Sequence, residues 1–314
     1  SGKMATCLSQ LYHEHKRGNL AGYAKYETFP IWNLPLKHPV NIAYEAATVD
    51  LDDANCIDPF HLEAYGKTTV NYNRDVEIFP VLKTMMERIA GESPYQSPTD
   101  MGVNMAGLAI VDDDAVREAA KMEIVRRYFA AAVHLKRTGT GEEQVERLRS
   151  IMNRAGVTPD LSPARAVALE KEAATGAPAG AMVLPDGHVV TGKTGDLLGA
   201  ASALLMHALK AVTGVDETIP VIDDAAIEPI CRLKTEHLNS VNRRLHSDET
   251  LIALSITSAT SPVAARVIDG LKQLQGCDAF FSVIISSTDE ALYRKLGINV
   301  CCEPKYERVS LYHR

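Results

Sequence analysis

Aromatic residues are scarce in this chain, at 6% of 314 residues with a single Trp. Its core must therefore be built from Ala, Val, Leu and Ile. Cysteine is equally sparse in pattern. Cys7, Cys56, Cys231, Cys277, Cys301 and Cys302 form no CxxC pair and have no His-x3-5-His partner, which argues against a zinc cluster. Adjacent Cys301 and Cys302 cannot readily bridge each other, so the thiols read as small core residues of a reducing compartment. No uninterrupted apolar run approaches membrane-spanning length, and no charged-then-apolar leader opens the sequence. These absences predict a cytoplasmic protein with no membrane partner. A basic stretch is lacking too: the formal net charge is -7 and the cations are interleaved with acids. Nucleic acid is therefore not an expected partner.

Several catalytic signatures are also missing. There is no HExxH and no GxSxG elbow. The zinc-deaminase pattern fails because His188 is followed by Val189 and Val190, and Cys301-Cys302-Glu303-Pro304 has the wrong order. No internal repeat or low-complexity segment interrupts the chain.

What is present is alternating helical and extended texture. Met4, Cys7, Leu8 and Leu11 share one helical face, with Gly18 placed to stop the helix. Residues 20–29 read as extended, 38–51 as helical and 68–72 as a strand. Leu82, Met86 and Ile89 predict a further helix ending before Gly91. From Asp112 three helices follow in close succession. The first is acidic at its start and ends on Lys136 and Arg137, in keeping with the helix dipole. The third has Ser162 at its N-cap, Pro163 at its first position and Gly176 beyond its end. After Gly176, residues 181–184 and 188–191 flank Pro185-Asp186-Gly187, a hairpin signal. Residues 196–212 predict a long apolar helix. Residues 251–257, 280–286 and 298–301 read as strands separated by helices, which predicts a βαβαβ unit with a mainly parallel sheet.

Three segments carry candidate chemistry. Ser1-Gly2-Lys3 opens a helix, and a lysine beside exposed helix N–H groups suits a phosphate. Upstream glycines are absent, and Met4 stands where Ser or Thr would hold magnesium. The bland alternative is an extraneous start before an initiator Met4. Gly187-His-Val-Val-Thr-Gly192-Lys193-Thr194 is a literal GxxxxGK[ST] match, although Val189 and Val190 suit a strand better than a phosphate loop. Thr191, Lys193 and Thr194 are its candidate anion ligands. The third segment is polar throughout: Asp58, His61 and Glu63, then Asn71, Asn73 and Arg74, then Thr99, Asp100 and Asn104. Alternation along 69–73 puts Thr69, Asn71 and Asn73 on one face. Arg74 would take an anion, and His61 or Asp100 would move protons. Asn71, Asn73, Thr99 and Asn104 would meet the substrate. Asp58 or Asp100 would hold magnesium if the ligand were ATP. The competing expectation is that these side chains cap helices and satisfy loop backbone. A Cys56–His61 nucleophile pair has no support beyond proximity, and His13 and His15 read as solvent-facing.

Long stretches of the sequence resemble one bacterial family. HPVNIAYEAATVDLDDANCIDPFHLEAYGKTTVNYNRDVEIFPVL, SPTDMGVNMAG, EIVRRYF, LPDGHVVTGKTGDLLGAASALL and LIALSI are similar to the family known as a domain of unknown function, DUF1846, or uncharacterised protein family UPF0371. The likeness covers essentially the whole chain. It implies that family members extend well beyond this N-terminus, that a Gly- and Pro-rich turn precedes the equivalent of Ser1-Gly2-Lys3-Met4, and that the chain is a C-terminal portion. Some members carry the label ATP-dependent peptidase, but neither a protease triad nor HExxH is found here.

The resulting expectation is an α/β protein in three parts. Residues 1–110 form a truncated P-loop-like α/β domain, 111–176 a helical insert, and 177–314 a C-terminal α/β domain. The leading functional expectation is a cytosolic enzyme of ATP-dependent kinase or ligase type, binding a nucleotide or phosphorylated metabolite with magnesium. The alternative is a non-catalytic, homo-oligomeric binding or regulatory protein whose Ala-rich helices pack subunits together.

Overall fold

A computed structural model describes residues 2–25 and 30–307, and these divide between two compact units. Part of the extended segment expected at 20–29, and Ser1, lie outside the described residues.

Unit 1 comprises Ser1–Arg127 and Glu143–Thr158. It contains α1 (Lys3–Lys16), α2 (Pro39–Ala47), β1 (Asn55–Ile57), α3 (Pro59–Tyr65), β2 (Val70–Tyr72) and α4 (Asn73–Ala90). The first part of α5 (Asp113–Thr138) and most of α6 (Glu142–Ala155) belong to it as well. β1 and β2 pair antiparallel with Cys56 opposite Asn71. The apolar face predicted for the first helix is used: Leu8 and Leu11 pack with Phe79, Leu82 and Met86 of α4 and with Met101. α4 starts much earlier than Leu82 suggests. It runs through Pro80, whose missing N–H costs one helical bond. Asn73 is consequently in a helix, and the expected strand alternation ends at Tyr72.

Unit 2 comprises Tyr128–Glu142 and Pro159–Arg314. After the end of α5 it holds α7 (Pro163–Thr175), β3 (Ala179–Val183), β4 (Val189–Lys193), α8 (Ala200–Val212), α9 (Asp224–Arg232), α10 (Ser247–Ser258), α11 (Pro262–Asp269), β5 (Asp278–Phe281), α12 (Ser287–Lys295) and β6 (Asn299–Cys302). The sheet order is β4-β3-β5-β6. Only β5 and β6 pair parallel, while β3 is antiparallel to both β4 and β5, so the expectation of a mainly parallel sheet is corrected to a mixed one. Pro185-Asp186-Gly187, with Gly187 at φ 86, turns β3 back on β4 as the expected antiparallel hairpin, and the sheet holds a single parallel pair because residues 251–257 supply no strand to it. Residues 251–257, expected as a strand, lie within α10 instead. Their β-branched residues favour a strand locally, but the helix buries Thr250, Ala253, Leu254 and Thr257 on one side. Ala- and Leu-rich α8 is buried on nearly every face, with Leu204, Leu205, Ala208 and Leu209 fully enclosed, and it anchors the core in place of aromatics.

No helix among the described residues is long and apolar enough to cross a membrane. Among the described residues Cys231, Cys277 and Cys302 are buried, Cys56 and Cys301 half-buried and Cys7 exposed.

Candidate functional site

The polar residues of the third candidate segment separate into two clusters within unit 1. The first is closed. Asp58 is fully buried at the N-cap of α3, where Oδ1 accepts the amides of Phe60 (3.0 Å) and His61 (3.1 Å). Its Oδ2 accepts the Thr99 amide (3.2 Å) and hydroxyl (2.5 Å). Thr99 Oγ1 lies 3.1 Å from Thr69 Oγ1. His61 is buried with Nδ1 2.9 Å from Ser97 Oγ and 3.6 Å from Asp100 Oδ1. Asp100 in turn closes a capping box with Ser97, and its Oδ2 takes the Gln96 and Ser97 amides and the Tyr65 hydroxyl. That last bond pushes the Tyr65 phenol up. Each carboxylate here is engaged by several donors, so the cluster ties α3, β2 and the 97–101 turn together.

Asn71 and Asn73 also work on local backbone. Asn71 is buried and accepts the Tyr72 amide (2.9 Å), while Asn73 accepts the Ala54 amide (3.1 Å) and fixes the entry to β1.

The second cluster is open. A cleft of about 220 Å³ is lined by Tyr44, Thr48, Leu51, Asp53, Asn55, Tyr72 and Arg74. Arg74, in the first turn of α4, donates from Nη2 to Asp53 Oδ2 at 2.8 Å, with Nε 2.5 Å from Oδ1 as an ion pair, and its guanidinium lies over the Tyr72 ring. Its side chain remains half exposed. Asn104 Nδ2 donates to the Tyr44 hydroxyl (3.2 Å), so of the expected substrate residues Asn104 touches this cleft's lining. Lys25 also lies over the Tyr72 ring, 5.2 Å from its centre, and is paired with buried Asp75. Burial, with the Arg74 charge beside it, pulls the Lys25 ammonium down to about 8. The Tyr72 phenol is pushed up, chiefly by burial.

Sequence reasoning missed Asp53, Tyr44, Asn55, Tyr72 and Lys25. The signal for Tyr72 was present in the alternation: with Asn71 facing inward, Tyr72 must face the other way. Asp53 was legible only as one acid in a run of three, Asp50, Asp52 and Asp53.

The phosphate-loop candidates take other forms. Gly2 precedes α1 and its carbonyl accepts the Thr6 amide and hydroxyl. The Lys3 side chain is exposed, and among the described residues it makes no ion pair or hydrogen bond. Residues 187–194 are not a loop around an anion: Val189–Lys193 is strand β4, paired residue by residue with β3. Gly192 is required for packing, since a Cβ there would collide with the backbone of α8 at Leu204. The next helix begins only at Ala200, whose amide Thr194 Oγ1 accepts at 3.2 Å. Lys193 is exposed at the strand end. Among the described residues no group of three or more His, Cys, Asp or Glu is placed to hold a metal ion.

Comparison with known proteins agrees with the sequence resemblance. Residues 1–156 match the model of Domain of unknown function DUF1846, N-terminal, and residues 160–312 match its C-terminal counterpart. The chain belongs to this family. Because both models are matched, the expectation of a C-terminal portion alone is corrected. The chain is 57% identical over 314 residues to the UPF0371 protein CE2832 of Corynebacterium efficiens, covering 100% of this chain and 63% of the relative. It is 56% identical over 318 residues to UPF0371 protein DIP2346 of Corynebacterium diphtheriae, with 100% of this chain and 63% of the relative covered. A UPF0371 protein of Streptococcus thermophilus is 53% identical over 314 residues, with 100% and 64% covered. The chain thus spans under two thirds of the length of these relatives.

Proposed function

We propose that this DUF1846 chain is part of a cytoplasmic enzyme that binds a small phosphorylated metabolite in the Tyr44–Tyr72–Arg74 cleft. The observation that carries the reading is the composition of that cleft: two tyrosines, an amide at Asn55 and a half-exposed guanidinium in one concavity. The tyrosine hydroxyls offer hydrogen bonds to a polar ligand, and Arg74 offers a fork to a phosphate once Asp53 yields part of it. Lys25, over the Tyr72 ring, is a second cation next to the cleft lining. At about 220 Å³ the cleft is smaller than the ~300–1,000 Å³ usual for whole cofactors. It suits a mononucleotide, or one end of ATP with its magnesium held by the ligand's own phosphates.

Calorimetry with ATP–magnesium and with AMP tests the proposal. Arg74→Ala is expected to weaken binding about tenfold or more, from loss of a charge-assisted pair. Lys3→Ala is expected to leave it unchanged. Loss of binding in Lys3→Ala with full binding in Arg74→Ala would move the site to the start of α1. No binding by either ligand would remove nucleotides from consideration.

A second reading, assembly without catalysis, has one observation in its favour. Ile252 and Ile256, one turn apart on α10, are 54% and 56% exposed. Light scattering of Ile256→Lys against the parent chain separates it: a shift to smaller particles supports assembly through this face.

A further inference from the structure

Unit 2 holds a histidine–carboxylate pair that is independent of the cleft in unit 1. His246 caps α10 and Ser286 caps α12, and Asp289 in the first turn of α12 reaches between them. Asp289 Oδ1 accepts the amide (2.8 Å) and hydroxyl (2.5 Å) of Ser247, and Oδ2 accepts the Ser286 hydroxyl (2.7 Å). The same Oδ2 lies 3.2 Å from His246 Nδ1. Asp289 is 7% exposed, whereas the His246 side chain is 45% exposed. One ring nitrogen is therefore fixed on a buried carboxylate, while the ring itself reaches solvent. This is the base-and-orienter half of an acid–base machine. It also stands just past the C-terminal end of β5, where α/β sheets place their ligand sites. The Ser247 and Ser286 hydroxyls lie on Asp289, and Ser286 Oγ is 3.4 Å from His246 Nδ1, the nitrogen held by the carboxylate. Neither therefore faces the lone pair on Nε2, and the attacking group is water or a substrate hydroxyl.

We infer that His246 is a general base of a second site in unit 2 that hydrolyses a small ester, with Asp289 as its positioning residue. In the neutral ring the proton stays on Nδ1, held by Asp289, and Nε2 carries the lone pair. Nε2 takes a proton from water as the water oxygen bonds to the ester carbonyl carbon. The carbon–oxygen bond to the leaving alcohol then breaks, and Nε2 returns its proton to that oxygen. The charges facing His246 are Asp289 of α12, Glu249 of α10 and Lys234 from the turn after α9. Lys234 is itself held by Glu249 at 2.6 Å. The net effect of the surroundings, led by the Asp289 hydrogen bond, raises the imidazole. The rise of base catalysis should accordingly lie at higher pH than an unperturbed histidine would give.

The test uses the whole chain with p-nitrophenyl acetate as the probe ester, alongside nitrogen-15 NMR of its histidines. The expected wild-type result is a neutral His246 protonated on Nδ1, with a raised midpoint that coincides with the rise of the rate–pH profile. His246→Gln should lower the rate at least tenfold. Asp289→Asn should move both the NMR midpoint and the rate profile to lower pH, a shift that a purely structural role would not produce in the rate. The inference is overturned if wild-type His246 is protonated on Nε2 when neutral, or if folded His246→Gln retains the wild-type rate. Because the NMR is read on the unaltered protein, an unfolded variant leaves the inference open to refutation.

Discussion

Two polar clusters lie within unit 1, and they use similar side chains to opposite ends. Around Asp58, both carboxylate oxygens meet donors from the amides and hydroxyls of α3 and the 97–101 turn. Around Asp53, the carboxylate meets one guanidinium, and that guanidinium lies along a cleft with half its side chain in solvent. The first arrangement has no capacity left for a ligand, whereas the second can exchange partners. Saturation of hydrogen bonds, rather than the presence of Asp, His or Arg, separates scaffold from candidate site.

The largest expected effect breaks the closed cluster. Asp58→Ala removes the N-cap of α3 and strands the buried Thr99 amide and hydroxyl. A lost cap costs about 1 kcal/mol and stranded donors about 1–3 more, so a destabilisation of about 3 kcal/mol is expected in urea unfolding. Ligand affinity of the folded fraction should be unchanged. A loss of binding with little loss of stability would mean that Asp58 belongs to the site after all.

A similar distinction applies to the literal phosphate-loop match. Gly192→Ala puts a methyl group against the backbone of α8, and overpacking of this kind costs about 1–3 kcal/mol. The thermal midpoint should fall while anion binding is untouched. Gly192 would regain a phosphate role only if binding fell and the midpoint did not.

Acid titration extends the comparison to unit 2, where Asp289 resembles Asp58 in saturation but holds an open histidine. The hydrogen bonds from His246, Ser247 and Ser286 outweigh burial and hold Asp289 down at about 2. A depressed carboxyl stabilises the fold above its unfolded value near 4, and that contribution disappears as pH falls from about 4 through about 2. Asp289→Asn is thus expected to cost about 2 kcal/mol at pH 7. The gap from wild type should close as the pH approaches 2. A gap that persists undiminished at low pH would show that shape and hydrogen bonding, rather than charge, give Asp289 its effect.

These contrasts also explain what the sequence could and could not reveal. Periodicity predicted α1, the helix through Met86, the three helices after Asp112 and the 185–187 hairpin, because each rests on neighbouring residues. It misread 251–257, where β-branched residues suggested a strand but packing against the core of unit 2 selected a helix. That error concealed the start of α10, and with it the His246–Asp289 pair, whose members are 43 positions apart in sequence. The residue types of the polar segments were legible, as was the ambiguity between capping and ligand binding. Their division was not, since only tertiary pairing shows that Thr99 completes Asp58 while Tyr44, by contacting Asn104, completes the rim of a cleft.

The smallest stability effect is expected where the functional effect should be large. Arg74 is half exposed, and its pair with Asp53 competes with water on one side. Ion pairs of this kind contribute about 0–1 kcal/mol, so Arg74→Ala should shift the urea midpoint by less than any substitution above. Arg74→Lys keeps the charge but loses the planar fork, and it should restore the stability without restoring ligand affinity. The outcome that would collapse the contrast is a cost of about 3 kcal/mol for Arg74→Ala. Asp53 and Arg74 would then be a second structural tie like Asp58 and Thr99, and the cleft beside them a gap in the packing.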